Sequence, residues 1–302
     1  MGDQIFVQIS SYRDRQLPAT LDSLLSQASD ADRLRVCICW QHARNERLPV
    51  RFGRAPNIEI LEVDHGTSRG ANWARRQVQR RWKGEPYSLI IDSHLRFAKD
   101  WDQRLIQMLL DLKGRKVRRP LITCYPPKFS PQSFPKGRAR VPLKIYKEAF
   151  LDGLLVHFAG FPIPLWRWLD EPIPAQFLAL GFLFTEGNFN RHIAIDPHIY
   201  FFGDEITTGL RAFCHGYNFF HPHRVLAWHA YDRSSRICHW QDHEDWKRAD
   251  RRSYRRVKAI FQGKNFKRYP LGDRRSIKAY EKYIGLPLIA QGPDHGRRGG
   301  TS

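Results

Sequence analysis

The sequence predicts an α/β fold built on a mostly parallel central sheet, with helices on both faces. Short apolar, β-rich runs alternate along the first half of the chain with segments whose apolar residues recur at helical spacing. With 302 residues, 42% of them hydrophobic, the chain is long enough to bury one extended α/β core or two small ones. Polar residues follow the strand-like runs directly, and sheets of this kind bind ligands beyond the carboxyl ends of their strands.

The first run, from Gln4 to Ser10, breaks at Ser10-Ser11-Tyr12-Arg13-Asp14, which reads as a strand followed by a polar turn. From Pro18, well placed in a first helical turn, Leu21, Leu24, Leu25 and Ala28 line one helix face; residues 34–40 then return to strand character and complete a βαβ unit. Residues 58–63 supply a third strand, 71–82 a helix, and 87–92 a buried strand ending in the carboxylate of Asp92. Residues 120–145 carry Pro120, Pro126, Pro127, Pro131, Pro135 and Pro142, so they are expected to form a long loop instead of a helix or central strand. A second Pro/aromatic stretch, residues 161–168 with Pro172 and Pro174, flanks an apolar run leading into residues 180–185. Loops this long serve as binding lids or as packed surface.

No stretch approaches the ~18 consecutive apolar residues of a membrane span. The chain opens without a basic, apolar leader, so a cytoplasmic location is expected. Five scattered cysteines without a CxxC pair argue against a disulfide framework or structural zinc. No GxGxxG or GxxxxGK[ST] follows a strand, which disfavours a dinucleotide fold and a P-loop. Fifty Lys and Arg against thirty acids leave a formal charge of +20, an excess that attracts nucleic acid, acidic membrane or phosphorylated ligands. It concentrates in residues 246–268, from Trp246 to Arg268, where ten basic side chains face one acid, Asp250. Such a run is a solvated helix face or an anionic-surface contact, and the interleaved Tyr254, Phe261 and Phe266 suit nucleic acid and membrane alike.

Two constellations carry chemistry. In Asp92-Ser93-His94 a carboxylate and an imidazole two residues apart, just past a buried strand, can face one divalent ion, with His229 as a distant third ligand; the alternative is an ordinary turn. In Gly203-Asp204-Glu205 paired acids open a helix, either as a well-charged first turn or as groups that bind sugar hydroxyls and orient an attacking hydroxyl.

With these segments in view the chain resembles the GlcNAc-type glycosyltransferase family typified by the cytosolic hydroxyproline polypeptide N-acetylglucosaminyltransferase, which has the GT-A nucleotide-sugar-binding fold. The likeness runs nearly end to end. It lies in residues 5–14, Arg69-Gly-Ala-Asn-Trp-Ala-Arg75, residues 91–97 with Trp101-Asp102, residues 181–185, Phe202-Gly-Asp-Glu205, His215-Gly-Tyr217, and Leu271-Gly-Asp-Arg-Arg-Ser276 with Tyr280-Glu281. The spacing of DSH, GDE and the later His is also similar to mucin-type polypeptide GalNAc-transferases. The resemblance implies that Asp92, His94 and His229 hold Mn²⁺ or Mg²⁺ on the diphosphate of a UDP-sugar. It further implies that Ser11, Tyr12, Arg13, Arg75 and Arg275 lie near that donor, with Glu205 a donor-sugar ligand and Asp204 an acceptor-side group. The implied reaction moves a sugar, GlcNAc by analogy and with retention, to a hydroxyl of a peptide or glycan. The rival reading is a basic nucleic-acid- or membrane-binding protein with an inactive core. The expected organisation is a catalytic domain over residues 1–233, a basic aromatic extension docked on it over 234–290, and a disordered tail over 291–302. Gly203-Asp204-Glu205 stands where relatives carry Gly-Glu-Glu, and Gly70-Ala71-Asn72 where they carry Gly-Pro-Cys, which leaves the donor sugar and the acceptor open.

Overall fold

Strand β1 (Ile5–Tyr12) is the organising element, buried along almost its whole length because both of its faces are covered. After it come α1 (Leu17–Ser26), β2 (Leu34–His42), α2 (Val50–Arg54), β3 (Ile58–Asp64), α3 (Ala71–Gln79), β4 (Tyr87–Asp92), β5 (Leu95–Phe97), α4 (Trp101–Gly114) and β6 (Pro120–Thr123). A hairpin of β7 (Leu143–Leu151) and β8 (Leu154–Pro162) follows, then β9 (Ile173–Pro174), β10 (Phe182–Glu186), α5 (Phe189–His192), α6 (Asp204–Cys214), β11 (Asn218–His221) and β12 (Ala227–His229). The chain closes with α7 (His239–Asp242), α8 (Trp246–Phe261) and α9 (Ile277–Ile284). The computed structural model describes residues 2–232 and 236–290, so the expected boundary at 233/234 and the tail over 291–302 lie outside the described residues.

Eight strands form one sheet in the order β3-β2-β1-β4-β10-β6-β11-β9, with only β10 and β9 running against the rest. Strand periodicity sorts the core. Ile5, Val7 and Ile9 of β1 point towards α1 and α4, where Leu21, Leu24, Leu105 and Leu109 cover them. Phe6 points the other way, packing with Cys37, Cys39, and Ala74 and Val78 of α3.

The expected loop over residues 120–145 is corrected at both ends. Pro120 opens a four-residue central strand, and Leu143 starts the hairpin. Proline is tolerated at the first position of a strand, where its missing N–H costs no ladder bond. Leu121, Ile122 and Thr123 are fully buried between β10 and β11.

The basic extension packs on the rest of the molecule through Val257, Ile260 and Phe261 of α8 and Tyr280 and Ile284 of α9, which share a core with Leu210 and Phe213 of α6. Tyr280 is fully buried and donates its hydroxyl to the Gln176 carbonyl at 3.1 Å. The apolar face of α8 carries this contact, and Trp240 and Trp246 are half-buried. Among the described residues no helix is long and apolar enough to cross a membrane.

Candidate functional site

At the carboxyl ends of β1, β2 and β4 a cleft of about 520 Å³ opens, roofed by α7 and bounded on one side by the N-terminus of α6. The alternation of β1 decides which of its end residues reach it: Ser10, Tyr12 and Asp14 line the cleft. Ser11, expected there, points away; it is fully buried, and its Oγ has no hydrogen-bond partner. Arg13, with φ of 45°, does not line the cleft either, and is held by Glu46 at 3.0 Å and Asp242 at 3.0 Å. Tyr12 donates its hydroxyl to the same Asp242 at 2.7 Å, which ties the end of β1 to α7.

Asp92 ends β4 inside the cleft. Its Oδ2 lies 3.2 Å from His229 Nε2 and 3.9 Å from His94 Nε2, and its Oδ1 accepts from Arg75 at 3.3 Å. One donor atom each from Asp92, His94 and His229 falls within 4.8 Å of the others. The small β5–β12 sheet makes this possible, because it pairs His229 with Leu95 and sets the two imidazoles edge to face at 4.4 Å between centroids. Gly181 completes the arrangement, since a Cβ there would lie 2.7 Å from Asp92 Oδ2.

Behind His94 stands Asp14, buried, which accepts from His94 Nδ1 at 2.7 Å, from Ser93 Oγ at 2.7 Å and from the Gln16 amide at 2.8 Å. Burial works against its charge, but the contact with His94 and the other donors hold its carboxyl below the usual range. With the Nδ1 proton so placed, Nε2 of His94 turns its lone pair to the Asp92 side, where the Arg236 guanidinium also reaches it. A carboxylate oxygen and imidazole nitrogens are a donor set that fits Mn²⁺ or a similar cation.

Charge is balanced tightly. Burial opposes ionisation of Asp92, yet the His229 hydrogen bond, the nearby His94 ring and the charge of Arg75 hold its carboxyl far below the ordinary value. Burial pushes His229 down to about 4, with Asp92 pulling the other way, so the pair is an ionised carboxylate beside a neutral ring at neutral pH. Arg75 bridges two acids, donating to Asp204 at 2.9 Å as well as to Asp92. Burial raises Asp204 despite Arg75, and burial together with the nearby Asp204 charge raises Glu205 to about 8. Glu205 is held by the Tyr125 hydroxyl and by the Leu180 amide at 3.0 Å.

Arg275 is not brought to the cleft. It donates to the Tyr217 carbonyl at 3.0 Å and to Asn218 Oδ1 at 2.8 Å, and it stacks over Phe213. That places it near the C-terminal end of α6, about 16 Å along the helix axis from Asp204. Its backbone amide donates to the Cys214 carbonyl at 3.2 Å, one of the groups a helix terminus leaves to be satisfied.

Sequence reasoning missed Asp14 as the support of His94, and also Tyr125, Tyr200, Arg236 and His239, which line the same cleft. Arg236 brings its guanidinium to the His94 ring, and Tyr200 and His239 share a 2.8 Å hydrogen bond. Asp14 had a visible signal as the only acid in the turn after the first strand. Tyr125, Tyr200 and Arg236 come from loops and His239 opens the four-residue α7, segments with no pattern of their own.

Fold and cleft together define a GT-A-type α/β protein with a strand-end Asp/His cluster. The chain belongs to the glycosyltransferase (GlcNAc) family, whose model matches residues 4–55 and 50–290. No curated protein matches the sequence. Among solved structures it is similar to GalNAc-T7 crystallised with UDP, GalNAc and Mn²⁺, at 12% identity and a TM-score of 0.58 over 94% of this chain and 54% of that one. It thus spans about half the length of that relative. It is also similar to S. aureus TarS 1-349 in complex with UDP, at 9% identity and a TM-score of 0.54, over 93% of this chain and 69% of that one. At these identities the likeness establishes the fold.

Proposed function

We propose that the protein is a metal-dependent glycosyltransferase that moves a sugar from a UDP-sugar to a hydroxyl of a peptide or glycan, with GlcNAc as the donor sugar and retention at its anomeric carbon. The observation that carries this reading is the convergence of Asp92, His94 and His229 in a cleft that Asp204 and Glu205 also face. The UDP and Mn²⁺ in the GalNAc-T7 structure support it, as does the UDP bound to TarS.

In this reading Asp92, His94 and His229 hold Mn²⁺ or Mg²⁺, which supplies positive charge for a departing diphosphate when bound. Tyr12 and Gln41 furnish a polar wall for the nucleoside. Asp14 keeps the His94 ring in one tautomer and one orientation. Arg75 is a positioning residue, because the carboxylates of Asp92 and Asp204 both accept from its guanidinium. Glu205, presented by the Tyr125 hydroxyl and the Leu180 amide, meets donor-sugar hydroxyls, and Asp204 lies on the acceptor side. Retention removes the need for a side-chain base opposite the leaving group, so no residue is assigned that role. The test is UDP release from UDP-GlcNAc, UDP-GalNAc and UDP-glucose, with Mn²⁺ and with chelator. Release that is fastest from UDP-GlcNAc and abolished by chelator is expected; no release from any nucleotide sugar would overturn the reading.

A further inference from the structure

Large apolar side chains that stay exposed are unevenly spread on this molecule. Tyr146 on β7 is 56% exposed and Phe161 on β8 54%, while Leu165 and Trp168 in the loop that follows reach 76% and 82%. The hairpin register explains the first two, since Tyr146 lies opposite Ala159 and Lys144 opposite Phe161. Alternation therefore puts Lys144, Tyr146 and Phe161 on one face, and the other face carries the buried Ile145.

The loop is a fixed display. The Ile163 amide donates to the Pro142 carbonyl at 3.0 Å, the Trp168 amide to the Leu165 carbonyl at 2.9 Å, and Arg224 to the Trp166 carbonyl at 2.8 Å. Pro162 and Pro164 stiffen it further. Cations flank the apolar tips: Lys144 sits over the Phe161 ring, Arg167 over Trp166, and Arg224 holds the turn. Of the acids that follow, Glu171 is paired with Arg115, which leaves Asp170 against these three cations.

Surface tryptophan and phenylalanine with leucine at a proline-stiffened tip, ringed by Lys and Arg, match the interfacial zone of an anionic bilayer. There the aromatic bodies leave water while the charged heads meet lipid phosphates. We propose that the β7–β8 face and residues 161–168 dock the protein on an anionic lipid surface, through Tyr146, Phe161, Leu165 and Trp168 and the cations Lys144 and Arg167. No helix among the described residues spans a bilayer, so this contact lies on the surface. Phe158 of β8 lines the cleft, which puts the docking face about 10 Å further along the same strand. The proposal is independent of the transfer reaction and can fail or hold without it.

The test is flotation of the full chain with vesicles of phosphatidylcholine alone, or of phosphatidylcholine and phosphatidylglycerol in equal parts. Wild type should float with the anionic vesicles only. The combined Phe161→Ser, Leu165→Ser and Trp168→Ser variant should lose about tenfold or more in partitioning, with an unchanged melting temperature because the side chains removed are exposed. Should that variant fold poorly, Trp168→Ser alone, at the most exposed position, should still weaken flotation severalfold. Three results would overturn the proposal: no flotation of wild type; flotation undiminished in the folded variants; or a wild-type dimer that the variants dissolve, which would make the face a contact between copies of this chain.

Discussion

Asp92 answers to four neighbours at once: His229, His94, Arg75 and the bare backbone of Gly181. If the cluster holds a divalent cation, Gly181→Ala should disturb it as surely as a ligand change does, because the new methyl would meet Asp92 Oδ2 at 2.7 Å. Calorimetric titration with Mn²⁺ should find affinity lowered about tenfold or more for Gly181→Ala and for Asp92→Asn; equal affinity in all three proteins would remove the metal from the site. His221 offers a separate test by pH. Its Nδ1–H donates to the Thr123 carbonyl at 2.8 Å, and its Nε2 accepts the Ile145 amide at 3.2 Å, so both nitrogens are satisfied only in the neutral ring. Burial accordingly pushes it down to about 4. The unfolded chain takes up this proton near pH 6.5. Stability should therefore fall as pH drops from about 6.5 to about 4, by on the order of 1–3 kcal/mol from this group. Urea midpoints measured across that window should drop less steeply in His221→Gln than in wild type; parallel slopes would show that the ring does not titrate as stated.

Helix α6 presents its two acids differently, although they are adjacent. Asp204 turns back to Arg75, and Glu205 turns towards Tyr125 and the Leu180 amide. The helix is held in that pose by Gly203, where φ is 92° and a Cβ would lie only 2.5 Å from Val257 Cγ2, leaving no room for a side chain. Under the proposed assignment, Glu205→Gln should depress donor hydrolysis and transfer together, by about tenfold or more, because part of the donor's orientation is lost. Asp204→Asn should spare hydrolysis and depress transfer. Parallel assays of UDP release and product formation decide it, and equal effects of both changes on both reactions would defeat the assignment. The pairing of acids at a helix start was legible in the sequence; the division of their partners was not, since Tyr125, Leu180 and Arg75 come from three distant segments.

Residues 246–290 of the extension are part of the core that supports α6. Val257, Ile260, Phe261, Tyr280, Ile284 and Leu288 are all buried there. At about 1.5–3 kcal/mol for each buried apolar side chain, their loss is comparable to the ~5–15 kcal/mol that keeps a typical domain folded. A chain ending before Trp246 should lose its cooperative thermal transition, followed by circular dichroism, and its UDP-sugar affinity with it. An unchanged melting temperature would make the extension an appendage.

Periodicity is a local property, and what depends on it was readable in advance: the βαβ alternation, the buried strand ending at Asp92, and the helix that Asp204 opens. The faces were half-readable. Period-2 alternation separates Ser10, Tyr12 and Asp14 from Ser11 and Arg13, but only the packed sheet says which set meets the cleft. Short strands escaped because four residues, as in β6, carry too little pattern to outweigh six prolines nearby. Convergence lay beyond any reading of one chain in order. His94 meets His229 through the pairing of two three-residue strands, Asp14 reaches His94 across eighty positions, and Arg275 bonds the end of α6 away from the cleft. Such contacts are set by the closing of long loops around a common core, an energy that belongs to the assembled sheet and helices and to no segment alone.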